Sequence, residues 1–124
     1  MINRIEKLQN QLEKTEAALI FGNTNRFYLT GFNSSAGLVL ITCEKAVFLI
    51  DFRYYEKAKS VVKTAEVVLS VKAYAQVLEI LKKENIKSLY LDTSEVTIDM
   101  FNGLKTALDG IEILESNKIS NVIA

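Results

Sequence analysis

Residues 23–58 decide the fold, and they read NTNRFYLTGFNSSAGLVLITCEKAVFLIDFRYYEKA. Two apolar runs in the middle, residues 38–41 and 46–50, lack polar residues at alternate positions, and the short link between them predicts a hairpin. Such runs indicate neighbouring strands that are covered on both faces, as in a layered α/β domain. Polar and aromatic side chains gather on either side of the two runs, where a sheet presents loops to ligands or partners. These flanking segments are therefore the candidate functional parts.

Outward from this stretch, helical and strand-like segments alternate along the chain. The predicted longer helices share apolar residues three or four positions apart: Ile5, Leu8 and Leu12; Tyr55, Ala58 and Val62; Tyr74, Val77, Leu78 and Leu81; Phe101, Leu104 and Leu108. A short helix is predicted at residues 24–29, stopped by Gly31, and Asp51 is placed to cap the helix after it. The remaining predicted strands are apolar runs at residues 17–21, 66–70, 88–91 and 111–114. This order predicts a three-layer α/β/α domain with a mixed sheet of five to six strands.

Length and charge restrict the class of protein. The chain has 124 residues, the size of one domain, and 49% of them are hydrophobic, enough for a continuous core. Lys plus Arg and Asp plus Glu each number 15, and this zero net charge argues against a nucleic-acid-binding domain. The lone Cys43 cannot form an internal disulfide, and no apolar run approaches the ~20 residues of a membrane span. We therefore expect a soluble cytoplasmic protein with no nucleic-acid or membrane partner.

The absence of histidine restricts the chemistry of this chain. It excludes Ser-His-Asp and Cys-His nucleophilic sites, and any zinc site that contains histidine. Asp51 and Asp92 both follow predicted strands, so they could serve as Mg²⁺ ligands, or each could cap the helix or turn that follows it. Cys43 lies in a predicted turn with only Lys45 as a basic neighbour, and we expect an inert thiol there.

The candidate binding residues lie in the loop after Gly31 and at the start of the helix after Asp51. The loop at residues 32–36 begins with an aromatic residue and continues with small polar ones, which suits close approach to a ligand or another chain. The candidates are Phe32, Asn33, Ser34, Ser35, Arg53 and Tyr54. For Phe32 and Arg53 a structural role is equally consistent with the pattern. Three other aromatic residues are predicted to lie in the core: Phe27, Tyr28 and Tyr55.

Two motifs resemble those of a known family. Residues 28–32 read Tyr-Leu-Thr-Gly-Phe, and beyond the two apolar strands residues 51–58 follow the pattern Asp-x-Arg-Tyr-x-Glu-x-Ala. The pair resembles the amino-terminal domain of the creatinase/prolidase/Xaa-Pro aminopeptidase family, over nearly the whole chain. The resemblance implies a sheet laid out like that of ribonuclease H, with residues 1–124 forming that domain. It also implies a larger "pita-bread" domain, absent from this chain, in which two Asp, one His and two Glu hold two divalent ions (Mn, Co or Zn).

The resemblance assigns this chain a non-catalytic part in a Xaa-Pro dipeptidase or aminopeptidase. It implies a homodimer in which the loop after Gly31 covers the substrate pocket of the partner subunit. Residues 32–35 would line that pocket, and Arg53 and Tyr54 would support the loop or the interface. Residues 119–124 would then lack the packing of the missing domain, and we expect them to fray. The alternative hypothesis is a free-standing α/β binding or dimerisation module with the same fold and no peptidase domain.

Overall fold

The computed structural model describes residues 3–92 and 96–115 of the chain. The helices in this part are α1 (Arg4–Gln9), α2 (Asn23–Thr30), α3 (Phe52–Val61), α4 (Ala73–Lys83) and α5 (Ile98–Ala107). The strands are β1 (Glu16–Ile20), β2 (Leu38–Thr42), β3 (Ala46–Ile50), β4 (Glu66–Leu69), β5 (Ser88–Leu91) and β6 (Glu112–Glu115). This is the order that the sequence predicts. The predicted fraying of residues 119–124 lies outside the described residues.

The six strands of the described chain form one mixed sheet in the order β4-β3-β2-β1-β5-β6. β2 runs antiparallel to both of its neighbours, β1 and β3. The pairs β3–β4, β1–β5 and β5–β6 are parallel. The carboxyl ends of β1, β3, β4, β5 and β6 therefore meet on one side of the molecule, together with the start of β2. We call this side the carboxyl end of the sheet, and both candidate segments lie there.

Alternate side chains of the strands enter opposite layers of the core. In β1, Ala18 and Ile20 face the layer that α1, α2 and α3 cover, whereas Ala17 and Leu19 face the layer of α4 and α5. All four side chains are fully buried, which explains why the strand carries no polar residue at alternate positions. The prediction of a three-layer α/β/α fold with a mixed sheet is confirmed. No helix within the described residues is long and apolar enough to cross a membrane.

Element boundaries differ from prediction by one to three residues. The spacing of apolar residues predicts that α1 extends to Leu12, but the helix ends at Gln9. The N–H of Leu12 donates to the carbonyl of Gln9 at 3.1 Å, so the chain turns and still places Leu12 in the core. β4 ends at Leu69 rather than Ser70. These shifts leave the layers unchanged, because the same side chains remain buried.

Candidate functional site

Asp92 joins the ends of two neighbouring strands. It follows β5 directly and is only 5% exposed. The N–H of Phe21 donates to Oδ1 at 2.9 Å, the N–H of Gly22 to Oδ2 at 2.8 Å, and the amide of Asn25 to Oδ2 at 3.2 Å. The carboxylate thus accepts from donors at the start of α2, where negative charge is favourable. The expectation that Asp92 caps the element after it falls on residues 93–95, which lie outside the described residues. Because β1 and β5 are parallel neighbours, the carboxylate binds a helix start 70 residues earlier.

Arg26 fixes the loop between α2 and β2 by binding its backbone. The residue is only 4% exposed. Its guanidinium donates to the carbonyl of Phe21 at the end of β1 and to Oδ1 of Asn23. It also donates to the carbonyl of Ser34 in the loop, at 2.9 Å. Because one rigid, planar group binds main-chain oxygens of both the strand and the loop, it holds the loop at the carboxyl end of the sheet.

The turn after α2 depends on the threonine and glycine of the first motif. Gly31 takes a φ of +72°, in the left-handed region, and its N–H donates to the carbonyl of Phe27 at 2.8 Å. This glycine ends the helix as predicted. The hydroxyl of Thr30 donates to the carbonyl of Arg26 at 2.8 Å and accepts the N–H of Phe32 at 3.1 Å. These bonds reverse the chain and direct Phe32 into the core.

The two motifs meet at Phe32 and Tyr54. The ring of Phe32 packs edge-on against Phe48 and Tyr54, with centroid separations of 6.2 and 6.3 Å. The hydroxyl of Tyr54 lies 2.8 Å from that of Ser35, and this hydrogen bond lowers the pKa of Tyr54. The first residues of α3 therefore clamp the loop through both an aromatic contact and a hydrogen bond.

Asp51 orients Arg53 at the start of α3. Its carboxylate accepts the N–H of Arg53 at 3.0 Å and the guanidinium at 2.7 Å, so it caps the helix as predicted. The guanidinium carbon also lies 5.2 Å from the centroid of the Tyr54 ring. The hydrogen bond from the Arg53 side chain holds the pKa of Asp51 below its usual value, and the same bond raises the pKa of Arg53. The pair is solvent-exposed, so its main effect is on orientation.

This pair predicts an acid-sensitive contribution of Asp51 to stability. The pKa of Asp51 is lower in the folded chain than its ordinary value of 3.8. The ionised carboxylate therefore stabilises the fold above the unfolded pKa, and this stabilisation is lost as pH falls through the folded pKa. We expect Asp51→Asn to lower the free energy of unfolding at neutral pH, and the difference from wild type to shrink as the solution is acidified. Urea unfolding at a series of pH values measures it; a difference that does not change with pH would contradict the pairing.

Gly37 allows the loop to approach β3 closely. It has a φ of +136°, and a Cβ there would lie 3.0 Å from a ring carbon of Phe48 and 3.2 Å from the carbonyl oxygen of Leu49. We expect Gly37→Ala to lower the free energy of unfolding by about 2 kcal/mol, because both the conformation and the contact are strained. The matched control is Gly103→Ala in α5, where a Cβ would meet nothing within 4 Å. That change should raise the free energy of unfolding by about 0.5–1 kcal/mol. Both free energies are measured by urea unfolding, and changes in the same direction for the two variants would refute this account.

The candidate residues divide into two buried ones, Phe32 and Ser34, and four that reach solvent, Asn33, Ser35, Arg53 and Tyr54. We call the last four the loop surface. The hydroxyl of Ser34 donates to the carbonyl of Ala36 at 2.8 Å, within the loop. The buried pair therefore shapes the loop from inside, whereas the loop surface is available to another molecule.

The prediction that Phe27 lies in the core is wrong, since it is 50% exposed. α2 instead buries the face that carries Arg26, Leu29 and Thr30. The two polar side chains of this face, Arg26 and Thr30, are buried, and each donates a hydrogen bond to a carbonyl oxygen of the chain. The sequence analysis did not single out Arg26. The sequence signal that could have identified Arg26 was its position in the same short segment as Gly31.

The polar groups of the loop surface suit recognition of another molecule. Within residues 3–92 and 96–115, no three His, Cys, Asp or Glu side chains form a cluster that could hold a metal ion. The oxygens of Asp92 accept three hydrogen bonds and those of Asp51 are bound by Arg53, which does not suit the hypothesis of Mg²⁺ ligands. The loop surface presents an amide, a hydroxyl, a phenol and a guanidinium, which can bind and orient a polar molecule.

Comparison with protein families and curated proteins gives matches along nearly the whole chain. The family model described as Creatinase/Prolidase N-terminal domain matches residues 4–123. A curated protein of Mycoplasma pneumoniae, named "Putative Xaa-Pro aminopeptidase", is 31% identical over 120 residues, which are 92% of this chain and 34% of that protein. The chain spans about a third of the length of the curated relatives that it matches over most of its own length.

Solved structures show the same fold. An Xaa-Pro aminopeptidase structure from Streptococcus pyogenes is 29% identical with a TM-score of 0.86, and the match covers 96% of this chain and 94% of that one. The N-terminal domain of the cytoplasmic peptidase PepQ from Mycobacterium tuberculosis is 26% identical with a TM-score of 0.82, covering 96% of this chain and 97% of that one. The second structure is an isolated domain, so this architecture can fold without further polypeptide.

Proposed function

The chain belongs to the creatinase/prolidase N-terminal domain family, and from this premise we propose that it is the non-catalytic domain of a metal-dependent Xaa-Pro dipeptidase or aminopeptidase. Hydrolysis, and the two divalent ions that support it, would belong to a larger carboxy-terminal domain. The share of the relatives that this chain spans supports this division, since the match covers only 34% of the Mycoplasma pneumoniae protein. We also propose a cytoplasmic location.

One observation carries the proposed role: the two motifs of the family converge on a single loop. Arg26 binds the loop backbone from one side, and Tyr54 contacts it through Phe32 and Ser35 from the other. A loop that is fixed in this way loses little conformational entropy when it meets another surface. We infer that it covers the substrate pocket of a neighbouring subunit, with the loop surface in contact with the peptide or with the subunit.

The same arrangement supports a part in dimerisation. The exposed groups of the loop surface are polar, as is usual at the rim of an interface between subunits. Arg53 is held in one orientation by Asp51, which favours a defined partner such as a carboxylate. We propose that these contacts bring two copies of the full-length protein together.

An activity assay on two lengths of polypeptide tests the proposal. We expect the full reading frame to hydrolyse a Xaa-Pro dipeptide with Mn²⁺, and the 124-residue chain alone to show no turnover. Turnover by the isolated chain, or a reading frame that stops at Ala124, would overturn the assignment. A stop there would favour the alternative, a free-standing binding or dimerisation module.

Variants of the loop surface test its role in the pocket. In the full-length enzyme we expect Asn33→Ala and Ser35→Ala each to raise KM by up to about tenfold, since each removes a hydrogen-bonding group. The control is Lys83→Ala, an exposed residue at the far end of α4. Kinetic constants that equal those of the control would show that the loop does not border the substrate.

A further inference from the structure

Three large apolar side chains are exposed together at the carboxyl end of the sheet. Phe52 is 80% exposed, Val71 76% and Ile98 80%. Phe52 begins α3 two residues after the end of β3, and Val71 lies two residues after the end of β4, which is the parallel neighbour of β3. Ile98 is the first residue of α5, in the connection that leaves β5 at the same end. Large apolar side chains exposed on one side of a domain are typical of a surface that contacts another protein.

A cavity lies at the same end of the sheet, lined by the residues that precede Phe52 and Val71 in the chain. It has a volume of about 320 Å³, and its apolar walls come from Phe21, Leu38, Leu49, Tyr74 and Met100. Asp51 and Ser70, which directly precede Phe52 and Val71, also line it, and Met100 lies in the first turn of α5 together with Ile98. We call this cavity, together with Phe52, Val71 and Ile98, the carboxyl-end patch.

The path of the chain indicates what covers this patch. β6 runs parallel to β5 and β1, so Glu115 lies at the same end of the sheet as the patch. The described chain therefore ends on the same side of the molecule as the patch, at the edge of the sheet opposite to β4. In the Mycoplasma pneumoniae relative, the matched region is only 34% of the protein, so a larger domain accompanies this one there.

The charge of the patch is compatible with contact to another folded domain. Among the residues that the structure describes, Asp51 is the one carboxylate that lines the cavity, and it is already paired with Arg53. Covering the cavity would therefore bury mainly apolar surface without leaving a lone charge in it. A second protein domain, whose surface is also largely apolar by area, fits this requirement better than a small polar ligand does.

We propose that the carboxyl-end patch is the docking surface for the larger domain that follows β6 in the same polypeptide. The inference rests on the proposed function, since it needs that domain to exist. It adds a second contact surface to the molecule: the loop surface faces a neighbouring subunit, whereas the patch faces the chain's own continuation.

Cysteine labelling measures whether the patch is covered. In a Cys43→Ser background, single variants Phe52→Cys, Val71→Cys and Ile98→Cys are treated with a maleimide, in the 124-residue chain and in the full-length protein. The matched control is Lys83→Cys, an exposed position at the opposite end of the sheet. We expect labelling at all three patch positions to be at least about tenfold slower in the full-length protein, because it is limited by transient opening of the covered surface. The control should react equally in both proteins.

Three outcomes would overturn the proposal. Equal rates at the patch positions in the two proteins would show that no domain covers them. Protection that disappears when the full-length protein is diluted to monomers would assign the surface to a neighbouring subunit, and protection in the 124-residue chain that rises with its concentration would assign it to a second copy.

Xaa-Pro hydrolysis without protection would remove this inference and keep the proposed function. Protection without hydrolysis would keep the docking surface and remove the peptidase assignment.

Discussion

Asp92→Ala is expected to lower the free energy of unfolding by about 4 kcal/mol, the largest effect of any single change considered for this chain. The carboxylate accepts from the N–H groups of Phe21 and Gly22 and from the amide of Asn25. Alanine offers no acceptor, so two backbone donors would remain buried without a partner. Urea unfolding followed by circular dichroism measures the change.

Two further variants separate the role of the carboxylate from a general effect of substitution. Asp92→Asn keeps the shape and one acceptor oxygen, but places an amide group against a backbone donor, so we expect a loss of about 2 kcal/mol. Asp109→Ala, at an exposed turn, should change the free energy of unfolding by less than about 0.5 kcal/mol. Similar changes in the free energy of unfolding for Asp92→Ala and Asp109→Ala would show that the hydrogen bonds of Asp92 contribute little to stability.

Arg26→Met is expected to lower the free energy of unfolding by about 3 kcal/mol and to loosen the loop at residues 32–36. The guanidinium binds carbonyl oxygens of Phe21 and Ser34, and methionine can fill the space but cannot donate. Arg26→Lys keeps the charge but not the planar fork, so it should recover only part of the loss.

Hydrogen exchange distinguishes loosening of the loop from a uniform loss of stability. In Arg26→Met, amides of residues 32–36 should exchange faster than the change in global stability explains, whereas amides of β1 and β2 should follow global stability. Arg53→Met is the control, because its exposed guanidinium binds Asp51 and does not anchor the loop. Uniform acceleration throughout the chain would contradict a specific role for Arg26 in holding the loop.

Much of the fold could be predicted because its signals are local. The runs at residues 38–41 and 46–50 lack polar residues because both faces of the central strands are covered, and β2 and β3 pair through the predicted hairpin. Gly31 ends α2 and Asp51 caps the start of α3, as the rules for helix ends predict. These rules depend on a few adjacent residues, so a single sequence is enough to apply them.

The candidate site was harder to predict because its organisation is not local. Nothing adjacent to Asp92 indicates that it binds the start of α2, since that contact arises only when β5 pairs with β1. Hydrophobicity favours a core position for Phe27 over Arg26, and the structure reverses this order. The reversal requires carbonyl acceptors from β1 and from the loop, which no helical pattern reveals.

Loop anchoring through main-chain oxygens has a consequence for how this protein can be altered. The contact from Arg26 to residue 34 ends on a carbonyl, which every amino acid supplies. Side chains at Asn33 and Ser35 can therefore be exchanged without removing that bond. A library randomised at these two positions, with Arg26, Gly31 and Gly37 retained, should yield many folded members, and natural drift there would change specificity before it changed architecture.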